Sequence, residues 1–157
     1  MDKQIGQERF AQEYFAALEE TFETHHGVYL DEVDSLLNTL AGISAAQASI
    51  PVGGQCATLA AQVAHVTFFL EVLERHILKQ PAGKVDWGEI WRTVGTVTEA
   101  EWGALKSGLD TVYRRVSTLL RGLDSWDDPA PLGGALAILV HTAYHLGEIR
   151  QALCTLR

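Results

Sequence analysis

The sequence predicts an all-α protein, a four-helix bundle in one domain spanning residues 1–157, and three observations predict it. Four long stretches carry apolar residues at intervals of three and four, the period that puts them on one face of a helix. No run alternates with the period of two that a half-buried strand needs. The connections between the long stretches include one of about 19 residues and one much shorter, lengths that suit helices packed side by side.

Residues 5 to about 24 form the first amphipathic segment, with Ile5, Phe10, Tyr14, Ala17, Leu18 and Phe22 at helical spacing. His25-His26-Gly27 closes it, the glycine in the C-cap position. The plain reading of the histidine pair is a solvated helix end, favoured by the dipole; the other is a contribution to the rim of a site. From Val28 to Gly54 the pattern breaks into a short helix over Ser35–Leu40, a further turn capped by Ser44, and the Pro51-Val-Gly-Gly54 stop.

The second long helix runs from 57 to about 79 and is apolar around His65, which shares its stripe with Ala61, Phe69 and Val72 and so faces the interior. Gln80 and Pro81 end it. The connection over 80–98 carries Asp86-Trp87 and Trp91, with Trp102 just beyond. Extended, it reaches about 60 Å, against about 33 Å for a 22-residue helix, so it can run the length of a bundle. The three tryptophans are expected to seal one end of the core rather than stack on a ligand.

The third helix, Glu99 to Leu123, steps Trp102, Leu105, Leu109, Val112, Val116, Leu119, Leu123 along one side, with Lys106, Asp110, Arg114, Arg115 and Arg121 outside. After the break at 124–131 comes the fourth, Leu132 to Leu153, apolar on nearly every side, so other helices must cover it.

Composition narrows the class. Hydrophobic residues make up 47% and charged ones 20%, a balance that suits a packed core and excludes a largely disordered chain. A net charge of -8 argues against nucleic acid as a partner, since little here would neutralise phosphates. The first ten residues lack the apolar core of a secretory leader. The longest apolar run, Ala135–Val140, falls far short of the roughly 20 residues that span a bilayer. Cys56 and Cys154 form no CxxC pair and read as two reduced thiols of a cytoplasmic protein.

Chemistry concentrates on the fourth helix. His141 and His145 lie one turn apart on one face, and Glu148, seven on from His141, falls on the same stripe. HxxxH alone is weak. With His65 buried on another helix, however, three imidazoles must be satisfied inside one core, and burying each without a partner costs a few kcal/mol. If they converge, three nitrogens with an open position form the pattern of a catalytic divalent-metal site rather than a closed structural one. Ligand softness permits zinc, nickel, iron or copper. Glu148 reads as an orienter of an imidazole N–H, as a general base, or equally as a solvated charge. Gln62, one turn before His65, is a weaker candidate of the same kind. His76 reads as exposed or structural.

The pattern His65 … His141-x-x-x-His145 followed by Gly147-Glu-Ile-Arg150 resembles the DinB family of bacterial four-helix bundles. The stretches Gly27–Asp31, Ser35–Leu40, and Asp86-Trp87 with Trp91 resemble parts of related members, so the likeness covers nearly the whole chain. It implies an up-down-down-up bundle with short extra helices in the long connections, a divalent metal (zinc or nickel foremost) on His65, His141 and His145, and a homodimer. It also implies thiol chemistry, in which a low-molecular-weight thiol serves as cosubstrate. Two functions from different classes follow: a metal-dependent enzyme acting on a small molecule by thiol transfer or hydrolysis, or a non-enzymatic, stress-related metal-binding or dimeric structural bundle.

Overall fold

In the computed structural model the described residues are 5–31, 34–81 and 83–156. The first four of the ten residues that bear on a leader lie outside them. Among the described residues there are seven α-helices and no strand. Four are long: α1 (Gln7–Phe22), α4 (Leu59–Ile77), α6 (Glu99–Arg121) and α7 (Pro129–Leu153). The short ones are α2 (Leu36–Ala41), α3 (Ala45–Ala48) and α5 (Glu89–Thr93), with one 3₁₀ turn at Val52–Gly54. No single described helix is long and apolar enough to cross a membrane.

Local chemistry sets the ends of the helices that matter. Thr58 caps α4, its Oγ1 accepting from Ala61 N at 3.1 Å. Thr98 and Glu101 form a reciprocal capping box on α6. The last helix begins at Pro129, three residues before the expected Leu132, because Asp128 accepts from Ala130 N and proline is well placed at a first helical position. At the other end of the chain the first helix is shorter than expected. Ile5 precedes α1 and is 75% exposed. Gly27 is not its C-cap either, since α1 ends at Phe22. Instead Gly27 turns the following loop at φ 74°, which only glycine adopts without strain.

That loop folds over Glu20, which is fully buried. Its Oε2 accepts from His26 N and Val28 N, and its Oε1 from Tyr29 N and Leu30 N, at 2.5–2.8 Å. Burial opposes the charge, but the four donors outweigh it and bring the carboxyl down to about 2.

The order of contacts gives the direction of each helix pair. Gln7 meets Asp127 and Tyr14 donates to Ala135 O, so α1 and α7 run the same way. His65 meets His141 while Ile77 meets Gly134, so α4 and α7 run oppositely. Thr58 meets Gly95 and Glu74 pairs with Arg115, so α4 and α6 run together. Glu19 pairs with Arg121, and Glu23 accepts from Tyr113, so α6 opposes α1. A Cβ at Gly134 would stand 2.6 Å from Ile77 Cγ1, so the glycine is what lets α7 lie this close to α4. The last helix is nevertheless not covered all round. Leu136, Val140 and Tyr144, four residues apart, form an exposed row, with Val140 66% exposed.

The tryptophans divide in a way the sequence reading did not anticipate. Trp102 is 1% exposed and donates to Ile43 O, and Trp126 packs with Phe10, Tyr14 and Phe15; both close the core. Trp87 and Trp91 close no end of the core. They are exposed and lie against the histidines and their neighbours, because α5 folds the long connection back over α4.

Candidate metal centre

His65 sits at mid-length of α4, a helix uninterrupted by glycine or proline, on the face turned to α7. Two consecutive turns of α7 present His141 and His145 to it. Ring centroids are 5.0 Å apart for His65–His141, 5.0 Å for His65–His145 and 4.5 Å for His141–His145. One nitrogen from each ring lies within 4.8 Å of the others, close enough to bind a single metal ion. His65 Nε2 faces His141 Nε2 at 3.1 Å, near the roughly 3.4 Å separating two nitrogens bound at 2.0–2.1 Å to a tetrahedral ion.

Electrostatics keep the rings neutral, as ligation requires. Burial and then the neighbouring His145 and His65 push His141 down to about 4. Burial and His145 lower His65, with Glu148 opposing. Burial lowers His145 too, again against Glu148. The Nδ1 atoms of all three rings are buried and make no aligned hydrogen bond. Glu148 Oε2 stands 2.9 Å from His145 Nδ1, at ion-pair distance but off the N–H direction. That leaves Nε2 of His145 for the centre. Three neutral imidazoles that find so little within the protein suit a divalent ion.

Aromatic rings wall the cluster. Phe69 stacks on His141 at 3.6 Å and 7°, and Trp91 lies over His65 at 4.4 Å. Beside His145 opens a cleft of about 410 Å³ lined by Gln62, Trp91, Tyr144 and Glu148, with Cys56 at its edge. A larger concavity, about 570 Å³, lies elsewhere, against Asn38, Lys106 and Arg114. It holds no histidine, so donor chemistry rather than size locates the centre.

Histidines read as peripheral stay apart. His25 Nε2 bonds Leu30 O, His26 lies 3.3 Å from Glu19, and His76 is exposed. Cys56 and Cys154 are free thiols on the surface. Trp91, Tyr144 and Cys56 were missed as neighbours of the site. Tyr144 adjoins a candidate ligand in sequence, a signal that was available, whereas Trp91 and Cys56 arrive from connections whose path no spacing rule gives. No protein-family model, curated protein or solved structure matches this chain significantly.

Proposed function

We propose that this chain is a divalent-metal protein with a DinB-like, up-down-down-up four-helix bundle, acting as a metal-dependent enzyme on a small molecule by thiol transfer or hydrolysis. The observation that carries the reading is the convergence of His65, His141 and His145 from two antiparallel helices with nitrogens within 4.8 Å. The pairwise helix directions support the bundle.

In this reading the three imidazoles hold the ion, zinc or nickel foremost and iron or copper also permitted. Such an ion supplies Lewis acidity and lowers the pKa of a water or thiol in its open position. Glu148, its Oε2 2.9 Å from His145 Nδ1, is the carboxylate that would orient this ring when an ion is bound, or take a proton as general base. Phe69 and Trp91 shield the rings from bulk water. The cleft beside His145 favours catalysis over a purely structural ion, which needs no access. The resemblance also brings a homodimer, and exposed Leu136 and Val140 are apolar surface that a second copy would cover.

Elemental analysis tests the centre. Native protein is expected to carry about one divalent ion per chain and His65→Ala almost none; equal loading of both sinks the site. Turnover of a panel of thiols plus electrophiles, lost on chelation and restored by metal, tests the enzyme reading. Full turnover in His141→Ala excludes metal catalysis.

A further inference from the structure

Two clefts adjoin at the flank of the histidines, about 410 and 520 Å³, and share Cys56, Gln62, Tyr144 and Glu148. The nearer also includes Trp91 and His145. Among the described residues no lysine or arginine lines either, in contrast to the 570 Å³ concavity with its Lys106 and Arg114.

The polar groups on this wall ask for a donor. Glu148 is half-exposed and its described partners, the neutral ring of His145 and the Tyr144 hydroxyl, carry no charge, so no described cation compensates its own. Gln62 is only 8% exposed and lines both clefts, its Oε1 buried behind the wall with no donor, so the side chain adds a polar and uncharged surface. Trp91 and Tyr144 add accessible aromatic rings, surfaces that attract cations over their faces. An anion here would meet a carboxylate and two π-faces. The chain's net charge of -8 draws cations toward it as well.

We propose that this cleft binds an organic cation, an ammonium or guanidinium group borne by the small molecule whose reacting end lies at the histidines. The inference deepens the proposed function and rests on it for that reacting end alone; the cleft's selectivity stands on its own residues. The carboxylate of Glu148 faces the positive group, and Trp91 and Tyr144 flank it.

The test uses the full chain, freed of metal by chelation so that no ion attracts an anionic probe. Benzylammonium, benzyl alcohol and benzoate, matched in shape, are titrated while tryptophan fluorescence and ligand NMR line widths are followed. Benzylammonium is expected to bind about tenfold more tightly than benzyl alcohol, the size of one desolvated cation–π and carboxylate contact, with benzoate weakest. Glu148→Gln and Trp91→Leu, at a half-exposed and an exposed position, should each shrink that preference while circular dichroism stays native. Equal binding of the cation and the alcohol, no binding of any probe, or an undiminished preference in Glu148→Gln overturns the proposal. Metal content of the same preparations separates the two readings. A chain that never loads metal yet selects the ammonium refutes the metal centre alone, and a metal-loaded chain without that selectivity refutes the cleft alone.

Discussion

Two buried polar centres in this molecule have opposite fates. At the end of α1, Glu20 is enclosed and every direction it needs is met by backbone: four N–H groups reach its two oxygens. Between α4 and α7, two imidazoles are buried and His141 is half-buried, and they hold little but each other, with all three Nδ1 atoms lacking an aligned partner. Both arrangements cost desolvation. Glu20 is repaid from inside the chain and so serves the fold. The histidines are not, and a polar cluster left unsatisfied by its own protein is where something from outside belongs.

The largest expected contrast comes from deleting one member of each centre. His141→Ala should weaken metal binding on the order of a thousandfold, about a third of the free energy of a structural zinc site, as read by competition with a chromophoric chelator. Its metal-free stability should change by less than half of what Glu20→Ala costs. Glu20→Ala strands several backbone donors and should lose about 3 kcal/mol in urea unfolding, while the folded fraction keeps its metal. If the metal-free histidine variant is destabilised as much as Glu20→Ala, the imidazoles are structural and the contrast fails.

A smaller effect tests the link between the histidines and their one carboxylate. Glu148→Gln should lower metal affinity about 10- to 100-fold, the usual cost of losing an outer-shell partner. Unchanged affinity in the same competition assay would leave Glu148 a cleft residue only. The smallest effect is the slope of stability with pH in the metal-free protein. His141 titrates at about 4 folded and near 6.5 unfolded, so between those values the unfolded chain binds more protons and stability falls as pH falls. Glu20 titrates at about 2 folded and about 4.5 unfolded, so its contribution is intact above 4.5 and is lost as pH drops toward 2. Each group adds at most about 1.4 kcal/mol per pH unit. His141→Ala should flatten the upper window and Glu20→Gln the lower; a curve with no change of slope between pH 4 and 6.5 contradicts the depressed imidazole.

The histidine cluster was legible because its members sit on long helices, where a period of 3.6 fixes which face each side chain takes. His141 and His145 are bound to neighbour each other whatever else the chain does, and His65 on an apolar stripe has to point inward. Glu20 was not legible. It lies on an amphipathic helix as one acid among several, and only the path of the loop after Gly27 turns it into an anchor. Trp87 and Trp91 are expected from the sequence to seal the core, yet the connection sets Trp87 against Phe69, and the short α5 carries Trp91 to the histidines. The exposed row on α7 escaped the same way, since uniform apolarity does not say which side lacks a neighbour.

By itself, then, the sequence determined where the long helices lie, that strands are absent from its pattern, and which three imidazoles turn inward, because those properties follow from spacing within one helix. Tertiary structure alone decided that the three rings meet, that Trp91 and Tyr144 flank them, and that Glu20 is satisfied while they are not. Those outcomes depend on how far α7 approaches α4 across Gly134 and on where the connections travel, and neither is encoded in the period of any single segment.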